Sequence, residues 1–232
     1  WKTSSFGPGA KAGGPNYVAQ FVEFRGSALP AASEQPSVLP ARVEELLHRL
    51  GGRIDVATLR PAAAHFVQAH TRWFASACDE SQLRGEDNLL VYRPLRGSFV
   101  IADALMSERE LALIALAAAV TECPLTVVSA ESSPAHALAL ALGASSLGQR
   151  LGMDEPALAL ALESTTAERV RCRVALSGRA LLSARQRGLH VSNAEPTVSR
   201  HELLHSLREQ AVSVSYHRYG HLGLRGLGER DA

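Results

Sequence analysis

Short apolar runs alternate with helical patterns from residue 89 onward, and this alternation limits the possible folds more than any other feature of the sequence. Strands are predicted at 89–92, 98–102, 125–129, 171–176 and 189–192. Helices are predicted at 107–120, 133–143, 154–164, 179–187 and 199–211. Strands that alternate with helices of this size predict an α/β fold, a three-layer, Rossmann-like unit with a mainly parallel sheet.

The first part of the chain has a different character. A glycine-rich run leads into a predicted short strand at 17–24, and residues 26–40 have the Pro, Ser and Ala content of a linker. Two helices are then predicted, at 40–50 and 61–77, before the alternating pattern begins. Because the sequence begins with Trp1 and not with Met, we expect it to be a fragment of a longer chain.

Charge and cysteine content exclude several classes of partner. Lys and Arg total 24 and Asp and Glu total 23, so the formal net charge is only +1 and no basic stripe favours nucleic acid or an acidic membrane. No window reaches the roughly 18 apolar residues of a membrane span. The cysteines, Cys78, Cys123 and Cys172, are odd in number and widely spaced. They predict no disulfide framework, and we expect a reducing, cytoplasmic location.

The sharpest local motif is His201-Glu202-Leu203-Leu204-His205, which matches the His-Glu-x-x-His pattern of zinc hydrolases. That chemistry needs two histidines one helical turn apart and a glutamate that activates the zinc-bound water. A third ligand would come from His217, His221 or Glu229, and the spacing selects none of them.

A structural interpretation of the same motif competes with the zinc hydrolase. Ser199 and Glu202 have the spacing of a capping box, which gives the glutamate a role at a helix start. Both histidines lie off the apolar face that helical spacing predicts for Leu203, Leu204, Leu207 and Ala211. We therefore keep zinc hydrolysis as the alternative function and expect no metal.

The other candidate sites are weaker. The glycine loops at 7–14 and 223–228 lack the preceding strand and following helix of a dinucleotide site, and the turn at 102–106 has no glycine. We therefore expect no cofactor in this chain. Cys172 is expected in the core with its neighbouring arginines outside, because successive strand residues point to opposite faces. His70 is expected as a packed helix residue without chemistry.

Three segments resemble one known family. Residues 1–17 (WKTSSFGPGAKAGGPNY) resemble the segment near the end of the catalytic domain of 1-pyrroline-5-carboxylate dehydrogenases, which also occurs in the bifunctional proline utilization A proteins of the aldehyde dehydrogenase superfamily. Residues 207–213 (LREQAVS) and 217–220 (HRYG) resemble the closing motif of the long members. Residues 83–88 (LRGEDN) and 92–96 (YRPLR) resemble the start of their extra C-terminal domain.

The resemblance implies a parent enzyme that oxidises L-glutamate γ-semialdehyde to glutamate with NAD, fused in longer relatives to an FAD-dependent proline dehydrogenase. It implies an aldehyde-dehydrogenase-like C-terminal domain without catalysis of its own, which packs over the catalytic module. The catalytic cysteine, glutamate and asparagine of the family precede the segment matched at residue 1, so no catalytic residue is expected here. The partners implied are the rest of the parent dehydrogenase and further copies of that parent.

The same resemblance divides the chain and selects its candidate residues. Residues 1–25 would end the dehydrogenase catalytic domain, 26–40 would be a linker, 41–220 the C-terminal α/β domain with its closing motif, and 221–232 a flexible tail. The residues implied in lid formation and interface contacts are Arg208, Glu209, Gln210, His217, Arg218 and Tyr219. His221 stands where relatives have an asparagine after the His-Arg-Tyr-Gly run.

Overall fold

A computed structural model describes residues 14–22, 38–143 and 155–217. In the described ranges, two α-helices precede the first strand: α1 (Ala41–Leu50) and α2 (Val56–Trp73). The elements that follow, in chain order, are β1 (Glu86–Pro94), β2 (Ser98–Ala102), α3 (Glu108–Thr121), β3 (Leu125–Ser129), α4 (His136–Gly143), α5 (Glu155–Ser164), β4 (Arg169–Arg171), α6 (Gly178–Gln186), β5 (His190–Ser192), α7 (Arg200–Leu204) and β6 (Leu207–Ser215).

Four of these strands form one parallel sheet in the order β3-β2-β4-β5. On one side of the sheet, Val100 and Ala102 pack into a large apolar core with α1, α2, α3 and α4. On the other side, Phe99 and Ile101 pack with α5 and α6. The sheet therefore lies between two helical layers, and the predicted three-layer α/β fold with a parallel sheet is confirmed.

Local sequence accounts for where many elements begin. Ser107 accepts a hydrogen bond from the Glu110 backbone N–H, and the Glu110 carboxylate accepts one from the Ser107 backbone N–H, so the predicted capping box of α3 is present. Asp55 caps α2 by accepting from the Ala57 N–H. That cap lets α2 start five residues before its predicted position, because Pro61 lies in the second turn of the helix and not at its beginning.

Two predicted elements are wrong. The predicted helix 199–211 ends at Leu204, and residues 207–215 form strand β6. The helical spacing of Leu203 and Leu207 had a second explanation, since both are buried on either side of a short turn. The predicted strand at 17–24 is a 3-10 helix, Tyr17–Phe21, in its described part. Strand β4 is also shorter and earlier than predicted, at Arg169–Arg171.

A second, antiparallel ribbon consists of β1 and β6 alone. Its register pairs Glu86 with Ser215 at the far end and Pro94 with Leu207 at the base. Across the described ranges, no helix has the length and apolar character needed to cross a bilayer.

Candidate interaction site

The β1–β6 ribbon brings together the second and third of the resembling segments. Residues 86–94 pair along their whole length with 207–215, although more than a hundred residues separate the two strands in sequence. The Ser213 hydroxyl donates to the Asn88 side-chain oxygen at 2.7 Å, which adds a side-chain contact to the backbone ladder. The ribbon therefore joins the predicted start of the C-terminal domain to its closing motif.

The first resembling segment also reaches this ribbon. Asn16 is buried, and its side-chain N–H groups donate to the Tyr92 hydroxyl and to the Glu209 carboxylate, each at 2.7 Å. Burial raises the pKa of Tyr92, and the negative charge of Glu209 adds to that shift. Phe74, at the end of α2, packs edge-on against the Tyr92 ring with centroids 4.7 Å apart. One amide thus fastens residues 14–22 to both strands of the ribbon.

An ion-pair cluster fixes the base of the ribbon to the parallel sheet. Glu168, just before β4, accepts from Arg96 at 2.9 Å and lies 3.5 Å from the Arg208 guanidinium. Burial opposes ionisation of Glu168, but the hydrogen bond from Arg96 and the charge of Arg208 hold its pKa below the usual range. Arg208 therefore has an internal structural contact.

The remaining predicted interface residues have different environments. Gln210 is exposed on β6. His217 is exposed beyond the ribbon, where its Nδ1 atom lies 3.3 Å from the Gly85 carbonyl oxygen and 3.3 Å from the Ser215 hydroxyl. Arg218 and Tyr219 lie outside the described residues. The structure thus places Arg208, Glu209, Gln210 and His217 along one strand and its end.

The glutamate of the zinc-like motif belongs to a buried charge pair. Glu202 and Arg171 form an ion pair of 3.0 Å with both side chains only 2% exposed. The Glu202 carboxylate also accepts from the Thr197 N–H at 3.2 Å. The predicted capping box is therefore wrong at Glu202, since Ser199 bonds the His201 N–H and the glutamate turns inward to Arg171. Arg171 was expected outside the core and is buried within it.

The two motif histidines were expected to face solvent or a partner surface, and both are partly buried. Burial, together with the charges of Arg171 and Arg169, holds the pKa of His205 well below the ordinary value. Burial also lowers the pKa of His201. Within the described ranges, no group of three His, Cys, Asp or Glu side chains is arranged to hold a metal ion. Because Arg171 engages Glu202, this glutamate is not poised to activate a water.

The cysteines lie apart from one another, and none has a lowered pKa. Burial raises the pKa of Cys123 to about 12 and that of Cys172 to about 11. Cys78 is exposed, and its hydrogen bond to Glu80 raises its pKa. A reactive thiolate requires the opposite shift. The expectation that Cys172 lies in the core is correct.

The carboxyl edge of the parallel sheet is where a Rossmann-like fold would bind a nucleotide, between β2 and β4 where the strand order reverses. Asp103 follows β2 at this point and is buried. Its carboxylate accepts from the N–H groups of Leu105, Arg173 and Val174, at 3.0, 2.6 and 2.7 Å. The negative charge of Asp103 repels a phosphate and already occupies these N–H groups. The turn at 102–106 also has no glycine, so a phosphate could not approach the backbone closely.

Sequence reasoning missed the residues that hold these sites together. Asn16 and Tyr92 both stood in the quoted motifs, but nothing in the sequence indicated that they touch. Glu168 and the Arg171–Glu202 pair gave no signal, because charged residues within a short strand usually indicate solvent exposure. His70 is half-buried in α2, and burial lowers its pKa, in keeping with a packed residue.

Comparisons with known proteins find similarity to solved structures. No protein-family model matches the sequence, and no curated protein does. The chain is similar to proline utilization A from Corynebacterium freiburgense, at 29% identity over 93% of this chain and 18% of that one, with a TM-score of 0.59. It therefore spans less than a fifth of the length of that protein.

Other solved structures share less with the chain. Histidinol dehydrogenase from Elizabethkingia anophelis has 10% identity over 68% of this chain and 40% of that one, with a TM-score of 0.46. Lactaldehyde dehydrogenase from Escherichia coli has 16% identity over 65% of this chain and 35% of that one, with a TM-score of 0.42. What the comparisons establish is similarity to one segment of a proline utilization A protein.

Proposed function

We propose that this chain is a non-catalytic assembly and lid domain of an NAD-dependent L-glutamate γ-semialdehyde (1-pyrroline-5-carboxylate) dehydrogenase in proline degradation to glutamate. The observation that carries the proposal is the convergence of three distant segments on one ribbon. The chain's similarity to 18% of a proline utilization A protein supports the same context. In this proposal NAD, and FAD where a proline dehydrogenase is fused, belong to the cytoplasmic parent enzyme, which forms a homo-oligomer.

The ribbon has the properties expected of a docking element. Two-stranded ribbons are marginally stable by themselves in water, so they gain from packing against a further surface. Val212 and Val214 point to the same face of β6, opposite Leu89 and Asp87, and they are 37% and 43% exposed. The other face is anchored by Asn16. The valine face is therefore the side proposed to cover the dehydrogenase module.

The chain's own residues contribute anchoring and not chemistry in this proposal. Glu202 is the residue that the zinc hydrolase alternative would use for catalysis. Its carboxylate is paired with Arg171 inside the core. The three thiols have raised pKa values. The carboxyl edge of the sheet is closed by Asp103. These contacts favour a structural role over the zinc hydrolase alternative.

An add-back assay tests the proposal. A parent dehydrogenase truncated before the segment that matches residue 1 is mixed with this chain, and NADH production from the semialdehyde is followed with association by size-exclusion chromatography. We expect both activity and association to recover. Recovered NADH production without association would contradict an assembly role. So would the absence of both.

A matched pair of substitutions assigns the docking face. Val212→Asp places a charge on the exposed ribbon face, and Leu160→Asp does the same at a 65% exposed leucine on α5, in the opposite layer. We expect the first to abolish recovery and the second to leave it unchanged, with circular dichroism confirming that both variants fold. Equal recovery with both variants would remove the ribbon from the interface. Zinc content of the same preparations tests the alternative function, for which a stoichiometric metal ion is required.

A further inference from the structure

Two arginines converge on one exposed tryptophan at the junction of α2 and α7. The Arg72 guanidinium carbon lies 5.0 Å from the centroid of the Trp73 ring, and that of Arg200 lies 4.8 Å from it. Trp73 ends α2 and is 47% exposed. Arg200 begins α7, so elements more than a hundred residues apart in sequence build the cluster. We call these three residues the Arg–Trp–Arg cluster.

The cluster carries positive charge that the described part of the chain does not neutralise. The ion pairs found there engage other arginines, for example Arg42 with Glu122 at 2.8 Å and Arg60 with Glu44 at 2.7 Å. Neither Arg72 nor Arg200 has a carboxylate within ion-pair distance among the described residues. The ring face attracts each cation, but it leaves most of the guanidinium N–H donors unused.

The cluster lies beside the contact that Asn16 makes with the ribbon. Phe74 directly follows Trp73 and packs against Tyr92, which holds Asn16. The charge of Arg200 acts on Tyr92 as well, lowering its pKa against the larger opposing effect of burial. The exposed tryptophan thus borders the contact through which residues 14–22 reach the ribbon.

We propose that the Arg–Trp–Arg cluster is a docking surface for an acidic segment of a protein chain. Tryptophan and arginine are the residue types that most often dominate protein interfaces, because they combine apolar area with fixed donors. Two guanidinium groups flanking an indole fit a segment that presents carboxylates beside an apolar side chain. The identity of the partner rests on the proposed assembly role: the acidic segment would belong to a part of the parent chain outside residues 1–232. The docking surface itself does not depend on that role.

A protein partner fits better than a nucleic acid. Single-stranded nucleic acids bind along a continuous basic groove with several stacking aromatics, whereas this cluster has two cations and one ring. The chain as a whole has a formal net charge of only +1. A bare phosphate would pair with the guanidinium groups but would leave the exposed indole surface uncovered.

The experiment titrates the full chain carrying Trp1→Phe, so that Trp73 is the only tryptophan, and follows its fluorescence. The probe is a polyglutamate peptide that contains interspersed leucines, added at an ionic strength of about 0.01 M, where charge attraction extends roughly 30 Å. We expect a saturable change in emission with a dissociation constant of about 1 mM, because exposed ion pairs are individually weak.

Substitutions decide whether the cluster is responsible. We expect Arg72→Ala with Arg200→Ala to weaken peptide binding about tenfold, and Arg185→Ala, an exposed arginine on α6 in the opposite layer, to leave it unchanged. Arg200→Lys retains charge without the planar fork and should give an intermediate affinity. Equal binding by the double variant, or equal weakening by Arg185→Ala, would overturn the proposal.

Two further probes separate the possible partners. Inorganic phosphate and an oligothymidine are titrated under the same conditions. If either binds as tightly as the peptide, the assignment to an acidic protein segment is wrong. The titration needs no dehydrogenase module, so failure of the add-back assay with peptide binding intact would contradict the assembly role and leave the acidic-peptide surface standing.

Discussion

Single residues in this chain carry structural roles that their type does not suggest. The Arg171–Glu202 pair is the strongest case, because both charges are out of water and each depends on the other. Removing one partner from such a pair is costly since the remaining charge has no compensation, whereas replacing both is often close to neutral.

We expect Arg171→Met to lower the free energy of unfolding by about 3–5 kcal/mol. The double variant Arg171→Met, Glu202→Leu should lose much less, because no charge is left buried. Urea denaturation of the two variants measures the difference. If the single and double variants had the same free energy of unfolding, leaving Glu202 without its partner would carry no cost, which would contradict this explanation.

Gly178 has a backbone requirement that the sequence does not reveal. Its φ is +50°, and a Cβ there would lie 2.1 Å from the Glu155 carboxylate, which accepts from the Arg179 N–H. We expect Gly178→Ala to destabilise the fold by about 1–2 kcal/mol in thermal or urea unfolding. Gly52→Ala is the matched control, since a Cβ there contacts nothing within 4 Å, and it should be nearly neutral. Equal losses at the two glycines would contradict this explanation.

At the scale of elements, the two serine caps differ although both precede a helix. Ser107 caps α3 through its side chain, whereas Ser177 precedes α6 without a side-chain cap hydrogen bond. We expect Ser107→Ala to cost about 1 kcal/mol of unfolding free energy and Ser177→Ala almost nothing. Chemical denaturation compares them. A larger loss at Ser177 would show that its hydroxyl has a contact beyond those described.

Two histidines with lowered pKa values, His190 and His205, make the stability of the fold depend on pH. Burial and the neighbouring Arg169 lower the pKa of His190 to about 4, and His205 shifts in the same direction. The unfolded chain therefore binds protons first as the pH falls, so the stabilising contribution of neutral His190 is complete above about pH 6.5 and is lost toward about pH 4.

We expect the free energy of unfolding to fall by on the order of 3 kcal/mol across that interval because of His190 alone, at 1.4 kcal/mol per pKa unit. His190→Gln should flatten this part of the profile. His48→Gln, on the surface of α1, serves as the control and should leave the slope as it is. Urea titrations at several pH values give the slope, and an unchanged slope in His190→Gln would count against a buried neutral imidazole.

At the scale of the whole molecule, the fold has the sheet of a nucleotide-binding protein with its crevice closed. Asp103 crosslinks the ends of β2 and β4 through backbone N–H groups that would otherwise face a ligand. The crevice at the carboxyl edge of the sheet is therefore occupied by a carboxylate of the chain itself.

We expect NAD at about 1 mM to leave the melting temperature unchanged, because a ligand stabilises a fold only in proportion to its binding. Asp103→Ala should lower the free energy of unfolding by about 1–3 kcal/mol, since three backbone N–H groups lose their acceptor. Differential scanning fluorimetry measures the first and urea denaturation the second. A rise of several degrees with NAD would show that the crevice is open to the cofactor.

Much of the architecture was predictable from sequence because it depends on local periodicity. Strands β2 and β3 lie where the apolar runs predict them, and α1 and α3 begin and end within about a residue of their predicted bounds. The three-layer fold follows from the alternation itself. The resembling segments were also visible in the sequence, and with them the set of residues to examine.

The tertiary structure alone decided what those residues do. Leu207 to Ala211 has helical spacing, yet β1 offers a partner strand, and backbone pairing across that ribbon overrides the local pattern. The same holds for Glu202, whose spacing suits a cap and whose carboxylate is drawn to Arg171 instead. Periodicity is a property of neighbours in sequence, so it determines the layers. Ion pairs, the ribbon and the closed crevice join residues far apart in the chain, and only folding brings their charges and hydrogen-bonding groups together.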